Sequence, residues 1–201
     1  MIDPKQRFTN RVDDYVRYRP GYPAALFEML IGECHLGATS RIADVGSGTG
    51  ILTRALLEAT GGHVVAIEPN AAMRAAAEKT LAGEPRFESR DGSAEATGLP
   101  DADVDLVIAA QAFHWFDPAR TRVEFARILR RGTQPWPSAR SGNVALVWNQ
   151  RSDTALNRDY ADMLERLAPE YPHVRESERS SETYGFRRQY TRTNNYFVVK
   201  F

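Results

Sequence analysis

The stretch from Arg41 to Arg54 carries the most specific chemical signal in the sequence. It places Asp44 just before three glycines at alternating positions, 46, 48 and 50. Glycine has no Cβ and tolerates positive φ, so backbone N–H groups in such a loop can approach a ligand closely. The dinucleotide pattern G-x-G-x-x-G would need glycine where the chain has Ile51. Because the carboxylate of Asp44 would repel a pyrophosphate, a zwitterionic ligand is favoured over a phosphate.

A second acid, Glu68, ends the next apolar segment of the chain. It lies 22 positions after Gly46. An acid about 20 residues beyond the glycine loop is the expected partner of ribose hydroxyls in folds of this kind. The spacing therefore predicts a ligand with a nucleoside end.

Apolar residues alternate between strand-like and helix-like spacing along most of the chain. This alternation predicts the α/β class, with a doubly wound, mostly parallel sheet and helices on both faces. The helix around Leu26–Cys34 is expected to stop at Gly37, and Asp117 is expected to cap a helix that starts at Pro118. The predicted strands are 42–45, 64–67, 86–91 (near an edge), 104–109, 143–149 and a terminal antiparallel strand at 196–201.

These residues resemble the class I S-adenosylmethionine-dependent methyltransferases, whose first motif is acidic-x-Gly-x-Gly-x-Gly and whose second strand ends in an acid. Residues 44–50 match that motif completely, and 92–100 and 104–117 continue the resemblance, which covers roughly positions 8 to 165. It implies a Rossmann-like methyltransferase fold and S-adenosylmethionine as cofactor. Similarity to trans-aconitate-type methyltransferases implies a small-molecule acceptor that is methylated on oxygen.

The resemblance also implies a role for each residue of a cofactor site. Glu68 would receive the ribose hydroxyls, while Asp44 and the glycine loop would hold the aminoacyl end. Ser93, which stands where Asp is more usual, would accept one weaker hydrogen bond from adenine beside the backbone of Ala94. The full cofactor-binding set is Asp44, Gly46, Ser47, Gly48, Gly50, Glu68, Pro69, Ser93, Ala94 and Gln111, with Tyr15 and Arg19 from an N-terminal lid.

His114 is the candidate catalytic residue. It is the one imidazole predicted at a strand mouth, and its ordinary pKa of about 6.5 would let it take a proton from a hydroxyl or carboxylic acid acceptor. Alternatively, the aromatic cluster 113–116 only walls the pocket. Direct methyl displacement needs alignment and exclusion of water more than a dedicated catalytic pair.

Charge balance and cysteine content exclude several kinds of protein. Lys plus Arg equals Asp plus Glu at 26 each, so no global field favours nucleic acid or an anionic membrane. A single cysteine and scattered histidines predict no disulfide and no metal site. Without an apolar run near ~20 residues, a membrane span is not expected. A cytoplasmic protein is predicted, with its oligomeric state left open.

A single domain is predicted for the 201 residues, of which 42% are hydrophobic. Its parts are a lid and helix (1–38), a cofactor-binding core (39–168) with an inserted loop at about 132–142, and a shortened C-terminal segment (169–201) with reduced strands. Because of that segment, one alternative is a cofactor-binding protein with little or no turnover. A nicotinamide-dependent oxidoreductase shares the ribose acid but needs different glycine spacing.

Overall fold

The structure, a computed structural model, describes residues 21–130, 142–148, 163, 166 and 197–199. The predicted lid residues Tyr15 and Arg19 therefore lie outside the described residues. So do nearly all of the predicted inserted loop and most of the segment from 169 onward, and the domain bounds stay a prediction.

Six strands form one sheet in the described part of the chain. The spatial order is β3-β2-β1-β4-β5-β6; the first five strands run parallel, and β6 runs antiparallel to β5. The predicted α/β class and mostly parallel sheet are confirmed, with β3 at one edge. The strands are β1 (Arg41–Val45), β2 (His63–Ile67), β3 (Phe87–Arg90), β4 (Leu106–Ala110), β5 (Asn143–Val147) and β6 (Phe197–Val199).

Four helices and a short 3-10 turn have their bounds within the described residues. The side chain of Asn70 caps α3 by accepting from the N–H groups of Ala72 and Met73. Asp117 caps α4 in the same way, as predicted from the Asp-Pro pair. The elements are α1 (Ala24–Cys34), α2 (Ile51–Thr60), α3 (Ala71–Thr80), the turn Phe113–Trp115, and α4 (Pro118–Ile128).

The two faces of the sheet build two hydrophobic clusters. On one face, Val45 and Val107 pack with Phe125 and Ile128 of α4. The opposite face buries strand residues such as Ile42 against α1 and α2. Because both faces are covered, β4 is apolar throughout and β5 is apolar after Asn143. The carboxyl ends of β1, β2 and β4 consequently meet at one open edge.

Strand β4 starts at Leu106, two residues later than predicted. Val104 instead forms an isolated parallel bridge with Leu129. Its N–H donates to Ile128 O at 3.1 Å, and its carbonyl accepts from Arg130 N at 2.9 Å. The backbone N–H and carbonyl of Val104 are therefore hydrogen-bonded to the end of α4 and the residues after it, and β4 does not extend to this residue.

The predicted stop of α1 at Gly37 is wrong. The helix ends at Cys34, and His35 adopts the left-handed conformation that closes it, with φ of 51°. The N–H of Leu36 then donates to Ile31 O at 3.1 Å, as in a Schellman ending. Glycine usually fills such a position, because a Cβ there is strained.

We expect His35→Gly to stabilise the protein. Glycine relieves the left-handed strain at an exposed position, so the free energy of unfolding should rise by about 0.5–1 kcal/mol. Urea unfolding at equilibrium measures the change. Glu28→Gly, in the exposed interior of the same helix, is the matched control and should lower that free energy by about 0.5–1 kcal/mol. A His35→Gly protein less stable than the wild type would contradict this account of the helix end.

Candidate functional site

A cavity of about 450 Å³ opens at the carboxyl ends of β1, β2 and β4. This edge is where open α/β sheets place their ligands, and the volume suits a small molecule. The predicted residues that line it are Asp44, Gly46, Ser47, Gly48, Glu68, Pro69, Ser93, Ala94, Gln111 and His114. The structure therefore brings together most of the residues singled out in the sequence.

Each glycine of the loop after β1 has its own structural reason. All three have positive φ, between 58° and 80°. A Cβ added to Gly46 would come within 2.6 Å of the Ala112 Cβ, and one added to Gly50 within 3.0 Å of the Ala77 Cβ. At Gly48 the nearest atom would be the Met73 sulfur at 3.8 Å. Gly46 and Gly50 thus allow close packing inside the protein, whereas a Cβ at Gly48 would make only ordinary van der Waals contact.

Gly50 accordingly differs from the other predicted loop residues. It caps the N-terminus of α2 and packs on α3, and it is not among the residues that line the cavity. Glycine is needed at this position because a side chain would press α2 away from α3.

The carboxylate of Glu68 holds the glycine loop. Oε2 accepts from the N–H of Gly48 at 2.9 Å, and Oε1 accepts from the N–H of Asn70 at 2.9 Å. Burial raises the pKa of Glu68, opposed by these two hydrogen bonds and by the charge of Arg74. One side chain therefore joins the end of β2, the loop after β1 and the start of α3.

Asp44 lies on the floor of the cavity and is almost fully buried. The Thr53 hydroxyl of α2 donates to its Oδ2 at 2.6 Å. Burial is the main reason that the pKa of Asp44 rises to about 7; the charge of Glu68 adds to the rise, and the Thr53 hydrogen bond opposes it. A cation placed beside Asp44 would favour its ionised form.

The loop after β3 forms a tight turn at the cavity wall. Ser93 N–H donates to Ala96 O at 3.1 Å, and Ala96 N–H donates back to Ser93 O at 3.2 Å. Between them, Ala94 and Glu95 line the cavity together with Ser93. A Cβ on Gly92 would lie 3.0 Å from Ile67 Cγ2, so the turn is pressed against the end of β2.

The chain after β4 supplies a further part of the cavity wall. Gln111 has a left-handed φ of 55°, and its N–H donates to Val147 O at 2.8 Å. His114 and Trp115 follow on the 3-10 turn and line the cavity, with ring centroids 4.7 Å apart. The expectation that Phe113 also lies at the mouth is wrong. It is buried in the core, where its ring stacks edge-on against Phe116 and Trp148.

Sequence reasoning missed several further lining residues. Asn70 was identifiable as a helix cap, and Arg120 follows the Asp117 cap by three positions, which places it in the first turn of α4. No sequence pattern distinguished Tyr22, Thr49 and Met73 from their neighbours as residues that line a cavity. The missed lining residues include Tyr22, Thr49, Asn70, Met73, Glu95, Asp117 and Arg120.

The residues present fit a cationic nucleoside ligand. Within the described part of the lining, four carboxylates outnumber the single guanidinium, that of Arg120. Three buried polar atoms of lining residues, Ser47 Oγ, Thr49 Oγ1 and Gln111 Nε2, also have no hydrogen-bond partner among the described residues. Such atoms are rare unless a ligand or water satisfies them. The acids supply acceptors for hydroxyl and ammonium groups, and the unpaired groups supply donors.

Two other kinds of site find no support in the described residues. They contain no group of three or more His, Cys, Asp or Glu side chains placed to hold a metal ion. None of the helices they include is long and apolar enough to cross a membrane.

The region that forms this cavity matches a known family. Residues 43–134, from β1 to just beyond α4, match a family model described as a methyltransferase domain. The chain contains a methyltransferase domain. An uncharacterized methyltransferase of Mycobacterium tuberculosis is 39% identical over 155 residues, and an uncharacterized methyltransferase-like protein of Schizosaccharomyces pombe is 34% identical over 154. These matches cover 75% and 77% of this chain but 55% of each relative, so the chain spans about half the length of these relatives.

Solved structures share the fold of this methyltransferase domain. A candidate type II methyltransferase of Anaeromyxobacter dehalogenans is 33% identical, with a TM-score of 0.55 and coverage of 75% of this chain and 58% of that one. A candidate S-adenosyl-L-methionine-dependent methyltransferase of Methanococcus maripaludis has a TM-score of 0.70 at 20% identity, over 99% of this chain and 95% of that one. The Rossmann-like methyltransferase fold expected from the sequence is confirmed.

Asp44 should make the stability of the methyltransferase domain depend on pH. Because its pKa is about 7 when folded and near 3.9 when unfolded, its burial destabilises the ligand-free protein increasingly as pH rises from about 4 to about 7. Asp44→Asn removes this charge and keeps an acceptor for Thr53. The stability difference between variant and wild type should grow over that range towards an upper limit on the order of 4 kcal/mol.

Urea unfolding at several pH values between 4 and 8 measures this difference. Asp91→Asn, at a largely exposed carboxylate, is the matched control and should show little change with pH. If Asp44→Asn were no more stable than the wild type at pH 8, the cost assigned to the buried carboxylate would be refuted.

Proposed function

We propose that the chain is an S-adenosylmethionine-dependent methyltransferase that moves a methyl group to a small-molecule acceptor, preferably to oxygen. The observation that carries the proposal is the pair of buried acids at neighbouring strand ends of one cavity. Asp44 and Glu68 both line it, at the ends of β1 and β2 of a methyltransferase domain. A cytoplasmic setting belongs to the same proposal and agrees with the presence of a single cysteine.

In this proposal the two acids bind opposite ends of the cofactor. Glu68, followed by Pro69, receives the ribose hydroxyls, while Asp44 and residues 46–48 of the glycine loop hold the aminoacyl end. Ser93 and Ala94 contact adenine. Gln111 also contacts the cofactor in this proposal, and Tyr15 and Arg19 are proposed to cover the methionine end. The excess of carboxylates around the cavity supports the choice of a cationic cofactor.

When bound, S-adenosylmethionine supplies an electrophilic methyl group on a sulfonium. The residues of this chain orient the two reactants and exclude water, which is the main requirement of a direct displacement. His114 and Trp115 line the same cavity as Glu68 and the 93–95 turn. The imidazole of His114 is the proposed base for an acceptor hydroxyl, and a purely structural wall is the alternative.

A small acceptor is favoured over nucleic acid by the charges around the cavity. Glu95 and Asp117 both line it, and the backbone N–H of Asp117 donates to Glu95 Oε1 at 2.8 Å. A polyphosphate chain entering beside these carboxylates would meet like charge, whereas nucleic-acid sites present basic and aromatic surfaces. The volume also suits a small molecule.

Glu68→Gln should weaken the binding of S-adenosylhomocysteine at least tenfold. The substitution keeps the shape of the side chain but removes the charged acceptor, and charge-assisted hydrogen bonds contribute about 1.5–3 kcal/mol. Isothermal titration calorimetry measures the affinity. Glu58→Gln, on the exposed face of α2, makes the same chemical change away from the cavity and should bind like the wild type. Equal affinities in all three proteins would remove the assigned role of Glu68.

Transfer of a radioactive methyl group to a panel of hydroxyl and carboxylic acids tests turnover itself. Labelled product is expected from the full chain; binding without product across the panel would instead support the alternative of a protein with little or no turnover. His114→Ala should reduce turnover and leave the affinity for S-adenosylhomocysteine unchanged if the imidazole is a base. Full turnover in that variant would show that His114 lines the cavity without acting as a base.

A further inference from the structure

The loop after β3 is fastened to α4 by a buried carboxylate. Oε1 of Glu124 accepts from both the backbone N–H of Thr97, at 2.8 Å, and the Thr97 hydroxyl, at 2.5 Å. Arg127 donates to both oxygens of Glu124, at 2.7 and 2.8 Å, and its other terminal nitrogen donates to Asp101 at 2.6 Å. A single side chain of α4 thus fixes Thr97 directly and, through Arg127, the chain at Asp101.

Thr97 directly follows the turn that forms part of the cavity wall. The paired hydrogen bonds between Ser93 and Ala96 close that turn, and Ala94 lies inside it. The carbonyl of Thr97 would lie 3.0 Å from a Cβ on Gly92, so both ends of the turn are in close contact. A displacement of Thr97 would therefore move the backbone of Ser93 and Ala94.

A second carboxylate ties the same turn to the start of α4. Glu95 Oε1 accepts from the N–H of Asp117, the residue that caps the helix. Asp117 and Arg120 line the cavity beside the turn. The turn and α4 are consequently joined at two places along the helix, so the position of one constrains the position of the other.

Glu124 itself is buried and is not among the residues that line the cavity. An apolar side chain could fill its place in the core, but the N–H of Thr97 would then be buried without an acceptor. The hydrogen bonds from Arg127 and Thr97 outweigh burial and lower the pKa of Glu124 to about 2. The carboxylate is therefore ionised at neutral pH, and it offers Thr97 a strong acceptor at a fixed place.

We infer that Glu124 is a positioning residue for the adenine end of the cofactor: through Thr97, it sets the place of Ser93 and Ala94 in the cavity wall. The inference rests on the proposed function, because it needs a bound adenosyl group. It adds to that function a residue that determines base specificity without touching the ligand.

The test compares S-adenosylhomocysteine with S-inosylhomocysteine, which has a carbonyl in place of the exocyclic amine of adenine. Isothermal titration calorimetry on the full chain gives both affinities, and their ratio measures how well the cavity wall discriminates between the two bases. The wild type should prefer the adenine compound. Thr97→Val, which removes the hydroxyl but keeps the shape, and Glu124→Ala should each lower affinity for S-adenosylhomocysteine about tenfold and bring the ratio close to one.

Three further variants separate positioning from general stability. Thr97→Ser keeps a hydroxyl and should retain the wild-type ratio, and Glu58→Ala on the exposed face of α2 should change neither affinity. Glu68→Gln should weaken both compounds equally and leave the ratio intact. If Thr97→Val and Glu124→Ala only lower the melting temperature while the ratio is unchanged, or if the wild type binds both compounds equally, the inference is overturned. A wild type that binds neither compound would overturn the proposed function itself.

Discussion

The carboxylate of Glu68 is the contact on which the geometry of the site depends. It accepts one hydrogen bond from the glycine loop, at Gly48, and one from the start of α3, at Asn70. Gly48 belongs to the loop after β1 and Asn70 caps α3, so the side chain of Glu68 links the end of β2 to both neighbours. Because the loop has positive φ at each glycine, its shape needs such external support.

This arrangement is compatible with the proposed ribose contact. An ionised carboxylate offers about four lone-pair sites, and two backbone donors occupy part of them. Glu68 can therefore hold the loop and receive hydroxyl groups at the same time. Asp44 differs in this respect, because its burial raises its pKa to about 7 and a nearby cation would stabilise its charged form. Glu68 therefore stabilises the loop and can still accept hydrogen bonds from a ligand, whereas Asp44 disfavours folding at neutral pH until a cation is present.

Local sequence patterns predicted the elements and the strand-end residues, because the buried parallel strands are mostly apolar and helix caps have specific chemistry. Asp117 and Asn70 were recognisable for that reason. His35 was not, since a histidine in a left-handed helix ending has no pattern of its own. The burial of Phe113 and the contact between Thr97 and Glu124 depend on how distant segments pack. The spacing of residues along the chain does not encode such contacts. The contacts that hold the site in place were therefore less predictable than the residues that line it.

A crystal structure of the full chain with S-adenosylhomocysteine tests the central claim most directly. The account predicts both ribose hydroxyls within about 3 Å of the Glu68 carboxylate, which keeps its hydrogen bond from Gly48. It also predicts adenine against Ser93 and Ala94, and the amino group near Asp44. A nucleoside bound elsewhere, or one in this cavity whose ribose makes no contact with Glu68, would contradict the account.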